Sequence, residues 1–244
     1  MVLTMQLSTG ASVDMVVRRS ARARLLRMVV NEGSVELVAP PRMPMAVIER
    51  FAHAQIGWLE AVLKRQRRHA YEPLCVRSGA RIPVADQQFH LVVDQHALKR
   101  PRVQTVGEEL RILLPANSEF ATRTEAASSA LRHWLSAEAE IHAQRYVARL
   151  APQIAVKVNA VGIRLARSRW GSCSARGRLM FNRILIHAPS GAFEYVVAHE
   201  LAHLREMNHS PKFWAWVERL MPGYLRWEDY LTNDGRKLYR YYEI

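Results

Sequence analysis

Cysteine is nearly absent. Only Cys75 and Cys173 occur in 244 residues, and two isolated thiols are no disulfide framework. A reducing, cytoplasmic setting is therefore expected. Acidic residues are also scarce: 22 Asp and Glu face 35 Lys and Arg, a formal net charge of +13. Such a field draws polyanions, so nucleic acid is a candidate partner beside the plainer reading of solubility through charge. No run of 18 apolar residues exists, which excludes a membrane-spanning helix. Met1 to Gly10 has neither a basic n-region nor a long apolar core, so no signal peptide is expected. There is no evident sequence repeat and no low-complexity segment. What is present, 49% hydrophobic and 23% charged residues, suits a globular chain with material for one large core or two small ones.

One stretch carries chemistry. His199-Glu200-Leu201-Ala202-His203 reads H-E-x-x-H, and His209 follows six positions later. A helical residue turns about 100° and rises about 1.5 Å, so His199 and His203 share a face one turn apart. Two imidazoles so placed can grip one ion, and Glu200 flanks the same face, within reach of a metal-bound water. His209 would lie about 15 Å further along a straight helix than His199, so the chain has to turn back. Asn208 tolerates the left-handed conformation that closes helices. Ser210-Pro211 is a start signal, Ser as N-cap and Pro at the first helical position. Three imidazoles and one open position describe a catalytic site for one zinc ion.

The rest of the chain reads as α+β. Residues 1–45 look β-rich: Val13 to Val17, then Leu25 to Val30 and Ser34 to Ala39 around an Asn31-Glu32-Gly33 turn. Arg18, Arg19, Arg22, Arg24 and Arg27 among them read as a solvated face, with a polyanion contact as the sharper alternative. Met45 to Arg68 has helical spacing in Ile48, Phe51, Ile56, Trp58, Leu59 and Val62, a stripe read as core. It ends in Lys64, Arg65, Arg67, Arg68 and His69, which complement the helix dipole. Strands return at Gln88 to Val93, Val103 to Val106 and Leu110 to Leu114. Asn117-Ser118-Glu119 then opens a long helix to about Leu150, on which His133 and His142 read as ordinary residues. The expected division is a β-rich lobe at 1–116 and a catalytic domain at 117–244.

Ahead of the histidines lies Arg167-Ser168-Arg169-Trp170-Gly171-Ser172-Cys173-Ser174. It reads as a hairpin between a strand at Val161 to Leu165 and a returning strand at Leu179 to Ile186. A strand edge beside a metal pairs with extended peptides, and Gly171 permits close backbone approach. Cys173 reads as a small apolar filler rather than a ligand or redox switch. The metal helix is expected from about Gly191 to Met207, and another helix from Lys212 to Met221 with Phe213, Trp214 and Val217 packing. Trp227, Tyr230, Tyr239, Tyr241 and Tyr242 in the tail read as a cover over the core, with base stacking as the alternative.

Arg169 to Cys173, Asn182, Tyr195 to Leu204, Asn208-His209-Ser210 and Phe213-Trp214 together resemble the YgjP-like metal-dependent hydrolases, relatives of the SprT-like and WLM zinc proteases. The resemblance extends to the arginine-rich segment near Arg19-Ser20 and to the helix containing Trp58. It departs at Ala85-Asp86, where a glycine turn is expected. It implies a zincin-like catalytic half with His199, His203 and His209 as ligands and Glu200 as base. It leaves the substrate open: members are classed as metallopeptidases by fold, while one bacterial member is described as a UTP pyrophosphatase. The candidate substrate-binding residues are Arg169, Trp170, Gly171, Ser172 and Asn182. A peptide would use the strand edge. A nucleotide would use cations near the metal, for which Arg167, Arg169, Arg178 and Arg183 are available, although such enzymes normally hold Mg²⁺ by carboxylates and three histidines favour zinc. A third reading is a nucleic-acid-associated protease guided by the basic surface. The oligomeric state is not legible.

Overall fold

Strands β1 (Val2–Gln6) and β2 (Ser12–Arg19) form an antiparallel hairpin in which alternate side chains are buried. Met5, Met15 and Val17 lie in the core, while Val16 is 46% exposed, the period-2 pattern of a half-buried sheet. Strands β3 (Arg27–Asn31) and β4 (Ser34–Ala39) complete a sheet of order β1-β2-β4-β3, with β2 and β4 parallel. The computed structural model describes residues 1–31, 34–68, 74–116, 120–242 and 244. Glu32 and Gly33 of the expected turn lie outside them, as do His69, Asn117, Ser118 and Glu119 and the side chains of Lys64, Arg65, Arg67 and Arg68. Two helices, α1 (Met45–Ala54) and α2 (Ile56–Arg68), stand where the periodicity predicts one, separated by Gln55. They bury Ile48, Ala52 and Leu59 against the sheet, but Trp58 is 48% exposed, so it is not part of the core as expected. Part of the basic character is structural: Arg18 pairs with Glu36, and Arg19 donates to the carbonyls of Pro41 and Met43 at 2.8 Å each.

The second unit repeats the theme. Strands β5 (Arg81–Val84), β6 (Gln87–His96), β7 (Arg102–Val106) and β8 (Glu109–Pro115) take the order β5-β6-β8-β7, again with the middle pair parallel. Registers correspond as well: Met15 faces Val35 where Leu91 faces Leu110, and Asn31 faces Ser34 where Val106 faces Glu109. The following helices carry Trp58-Leu59 and Trp134-Leu135. The sequence hides this repeat because the two copies share alternation and register rather than identities.

Helix α3 (Phe120–Leu150) lays Ala127, Leu131, Leu135, Ala139 and Ala143 along one stripe, every fourth residue. Those side chains share a core with Ile82, Leu91, Leu110, Ile112 and Leu114 of the sheet. The compact units are therefore Met1–Ala70 and Tyr71–Ile244, and the division falls earlier than 116/117, because the second sheet packs with the metal-binding half.

A smaller sheet follows: β9 (Ala160–Arg164), β10 (Gly171–Cys173) and β11 (Arg178–Asn182), in the order β10-β11-β9. The returning strand stops at Asn182, and Arg183–His187 is a buried 3-10 turn, not the strand expected to Ile186. Helix α4 (Ser190–Ala202) then crosses the core with Phe193, Val197, Ala198 and Leu201 buried. Helices α5 (Pro211–Leu220) and α6 (Leu225–Asn233) and a 3-10 segment, Gly235–Tyr241, close the chain. No helix among the described residues is long and apolar enough to cross a membrane.

The Ala85-Asp86 turn takes positive φ at both residues, 46° and 71°, a geometry that glycine adopts more readily. Two bonds hold it. Ala85 N–H donates to Ile186 O at 2.9 Å, and Asp86 Oδ1 accepts from Ser190 N–H at 2.8 Å. The carboxylate thus sits at the N-terminus of α4, where the helix dipole favours negative charge.

His187 is a buried titratable group of this core, 4% exposed. Its Nδ1 lies 2.8 Å from Pro83 O, an acceptor only, so Nδ1 carries the proton. Nε2 has no partner. Burial lowers its pKa to about 4. A histidine depressed in the folded state lets the unfolded chain bind the proton first, so stability is lost as pH falls from about 6.5 to about 4. The expected loss is on the order of 3 kcal/mol. Urea unfolding at both ends of that window should show it, and His187→Phe should flatten the slope.

Candidate metal centre and active site

Helix α4 ends at Ala202, with His203 as its C-cap residue, rather than continuing to Met207 as the sequence suggested. The backbone tightens there: Leu204 N–H bonds Leu201 O at 3.0 Å and Arg205 N–H bonds Ala202 O at 2.9 Å. The Arg205 guanidinium pins the joint by donating to Ile154 O at 2.7 Å and Ala155 O at 3.0 Å. Beyond it, Ser210 caps α5 by accepting from Phe213 N–H at 3.4 Å, with Pro211 at the first position, as the sequence predicts.

The joint returns His209 to the helix. Its Nε2 lies 3.1 Å from His199 Nε2, and the ligand atoms of His199, His203 and His209 all lie within 4.8 Å of one another. Nitrogens bound tetrahedrally at the usual Zn–N distance stand about 3.3 Å apart, so the donor set fits one zinc ion. His203 Nδ1 sits 3.2 Å from Glu206 O. A carbonyl only accepts, so Nδ1 bears the proton and Nε2 keeps a free lone pair. Burial, then the two neighbouring imidazoles, lowers His199 to about 4, and burial lowers His203 as well. Neutral imidazole is the form that ligates. Phe213 lies beneath all three rings, with centroids 4.8, 4.6 and 4.7 Å from His199, His203 and His209.

Glu200 is 6% exposed, and burial pushes its carboxyl up to about 7 against the opposing pull of Arg169. Its slot is made by Gly171: a Cβ there would stand 2.6 Å from Glu200 Oε1. The close approach that glycine permits is thus made by the Glu200 carboxyl, not by a substrate backbone. Arg169 is exposed and Ser172 half-buried. Ser172 Oγ accepts from the Arg164 guanidinium at 3.4 Å.

Asn182 and Trp170 hold the loop before β10. Asn182 is 1% exposed. Its amide donates to Ala166 O at 2.7 Å and Arg169 O at 2.9 Å, and its backbone N–H donates to Trp170 O at 2.7 Å. With both amide hydrogens occupied, it shapes the loop and has none left for substrate. Trp170 packs on Gly235 and on Tyr239, 5.7 Å between centroids. Tyr239 in turn donates to Arg167 O at 2.9 Å. The tail aromatics therefore cover the core: Tyr241 packs against His187 at 4.3 Å and Trp227 lies on Gly191.

Of the four arginines read as phosphate candidates, Arg183 is buried, with its guanidinium donating to Ile244 O at 3.0 Å, and Arg167 lies 5.5 Å from the Tyr242 ring. Arg169 and Arg178 are exposed. Cys173 stays a neutral thiol, its pKa raised by burial to about 11. His133 is exposed, and His142 lines a cleft of about 690 Å³ with Trp134, Arg145 and Tyr146 that contains none of the three histidines.

Sequence reasoning missed Tyr195 and Tyr224, which stack on each other at 5.9 Å. Tyr195 also meets His199 edge-on at 6.0 Å. Its spacing of four from His199 was the available signal; Tyr224, after the Pro222-Gly223 break, offered none.

No match was found among curated proteins. Among solved structures, the metallopeptidase zymogen of Pyrococcus abyssi abylysin is similar at 24% identity, covering 38% of this chain and 96% of that one, with a TM-score of 0.35. The sequence profile of the YgjP-like metallopeptidase domain matches residues 24–234. With three convergent imidazoles and a buried glutamate already in place, that match over most of the chain makes this protein a member of the YgjP-like family, a metal-dependent hydrolase of metallopeptidase type.

Proposed function

We propose that the chain is a zinc-dependent peptidase in which Glu200 is the general base. The observation that carries the reading is the placement of Glu200, on the helix that carries His199, between the three-imidazole cluster and strand β10 at the edge of its sheet. Among the described residues, β10 pairs only with β11, which leaves one edge for an extended peptide to join by backbone hydrogen bonds. His199, His203 and His209 would hold the metal. A bound zinc ion supplies Lewis acidity, lowering the pKa of its water towards about 7 and polarising the scissile carbonyl. Beside a divalent charge the Glu200 carboxyl is ionised at neutral pH. It accepts a proton from the attacking water and returns it to the leaving amide nitrogen. Its burial keeps bulk water from competing for that proton.

A nucleoside triphosphate is the rival substrate. The commitment of Arg183 to Ile244 O removes one of the cations that reading needs, and a three-histidine site favours zinc over the Mg²⁺ such reactions employ. The zinc-loaded protein should be incubated in parallel with an unfolded polypeptide and with nucleoside triphosphates. The expected result is polypeptide cleavage that a chelator suppresses at least ~100-fold and zinc restores. Triphosphate hydrolysis with intact polypeptide would transfer the assignment to the rival. Cleavage indifferent to the chelator would remove the metal from the mechanism.

A further inference from the structure

The third ligand is the one the helix does not position. His199 and His203 are carried by α4 and its cap, and His203 is oriented by Glu206 O. His209 sits in the exposed joint, and among the described residues no hydrogen bond engages its Nδ1. What it has is two neighbouring rings, Phe213 edge-on at 4.7 Å and a second that faces it. Trp214, in the first turns of α5, lies nearly parallel to it, 5.9 Å between centroids and 28° between planes. Tyr224 stacks on Trp214 at 5.4 Å and 10°, and Tyr195 on Tyr224 at 5.9 Å and 8°. Tyr195 belongs to α4 and meets His199 edge-on. The stack therefore runs from the third ligand through α5 and the start of α6 back to the first.

From this path we infer that Trp214 is the positioning residue of the metal centre. It fixes the His209 ring so that Nε2 faces the other imidazoles, and the Trp214–Tyr224–Tyr195 stack couples His209 to His199. Outer partners that orient metal-ligating histidines are ordinarily hydrogen-bond acceptors; here aromatic faces take that role at centroid separations normal for offset stacking. A ring on a bare joint would lose its rotational freedom when metal binds, and a ring already held loses none.

The inference rests on the metal reading above, and zinc affinity tests it without any substrate. Competition against a chromophoric chelator should give Trp214→Ala a zinc affinity 10- to 100-fold below wild type, roughly the cost of losing an orienting partner. Trp214→Phe, which keeps a stacking face, should stay within about threefold. In a His209→Ala background, Trp214→Ala should lose much less, within about threefold, because only its edge contact with His199, 5.9 Å between centroids, is left to lose. Unchanged affinity in Trp214→Ala, or an equal loss in both backgrounds, overturns the inference while leaving the metal reading intact. Absence of zinc binding in the wild type overturns both. If Trp214→Ala fails to fold by circular dichroism, Tyr224→Leu takes its place in the same cycle. The expectation is then a loss of about fivefold that vanishes in His209→Ala, and a loss in neither background or in both overturns it.

Discussion

Gly171→Ala is expected to cut hydrolysis about 100-fold while the protein stays folded and keeps its zinc affinity. A Cβ at position 171 would stand 2.6 Å from Glu200 Oε1, 2.7 Å from its Cγ and 2.9 Å from its Cδ. None of these contacts is tenable, so something has to move. All three atoms belong to the outer part of one flexible side chain, and the cheapest response is for the Glu200 carboxyl to swing away. The backbone of β10, paired with Phe181, Met180 and Leu179, need not shift. The perturbation is thereby delivered to the proposed proton-transfer group, and displacement of such a group by about 1 Å costs on the order of 100-fold in rate. Turnover, thermal midpoint and zinc affinity of the variant check the three parts together. A variant retaining more than half the wild-type rate would show that Gly171 does not define the Glu200 slot.

The site was legible in the sequence because its spacing is a helical fact. H-E-x-x-H places two imidazoles on one face whatever surrounds the helix, and Asn208 and Ser210-Pro211 mark a joint by local backbone chemistry alone. Strands were legible where a short apolar run follows turn residues, as in β4 and β8. The signals failed where tertiary contacts decide. Leu179 to Ile186 is apolar apart from Asn182 and Arg183, and so reads as a buried strand, yet it leaves the sheet after Asn182, whose side chain also accepts from Ile184 N–H at 3.4 Å. Asn182 looked like a substrate contact because it lies near the site in sequence pattern, but its donors face the loop carbonyls. Trp58 fell on an apolar stripe, and the break at Gln55 falls between it and the α1 part of that stripe. The unit boundary was misplaced because no local signal tells which helix a sheet packs against. At Ala85-Asp86 the glycine rule was set aside by two long-range bonds to the 3-10 turn and to α4, partners invisible in a local window. The Tyr195–Tyr224–Trp214 stack was hidden for the same reason, since its rings come from three separate segments.

Glu200→Gln is expected to have an effect as large or larger, a loss of about 100- to 10,000-fold, the range attributed to a positioned general base. The amide is nearly isosteric, so the slot against Gly171 remains filled, but it cannot accept and return a proton at neutral pH. It also leaves His199, His203 and His209 untouched, so metal binding should survive. Removing a buried carboxyl that burial already raises to about 7 should not destabilise the apo fold, since the neutral form is the one burial favours. The central claim is that the imidazoles hold the metal and the glutamate moves the proton, two jobs on neighbouring residues. The most direct test is to measure zinc content and polypeptide hydrolysis on the same preparation of Glu200→Gln. The account predicts one zinc per chain and a rate at least ~100-fold below wild type. A full rate with zinc bound, or zinc lost together with activity, would contradict it.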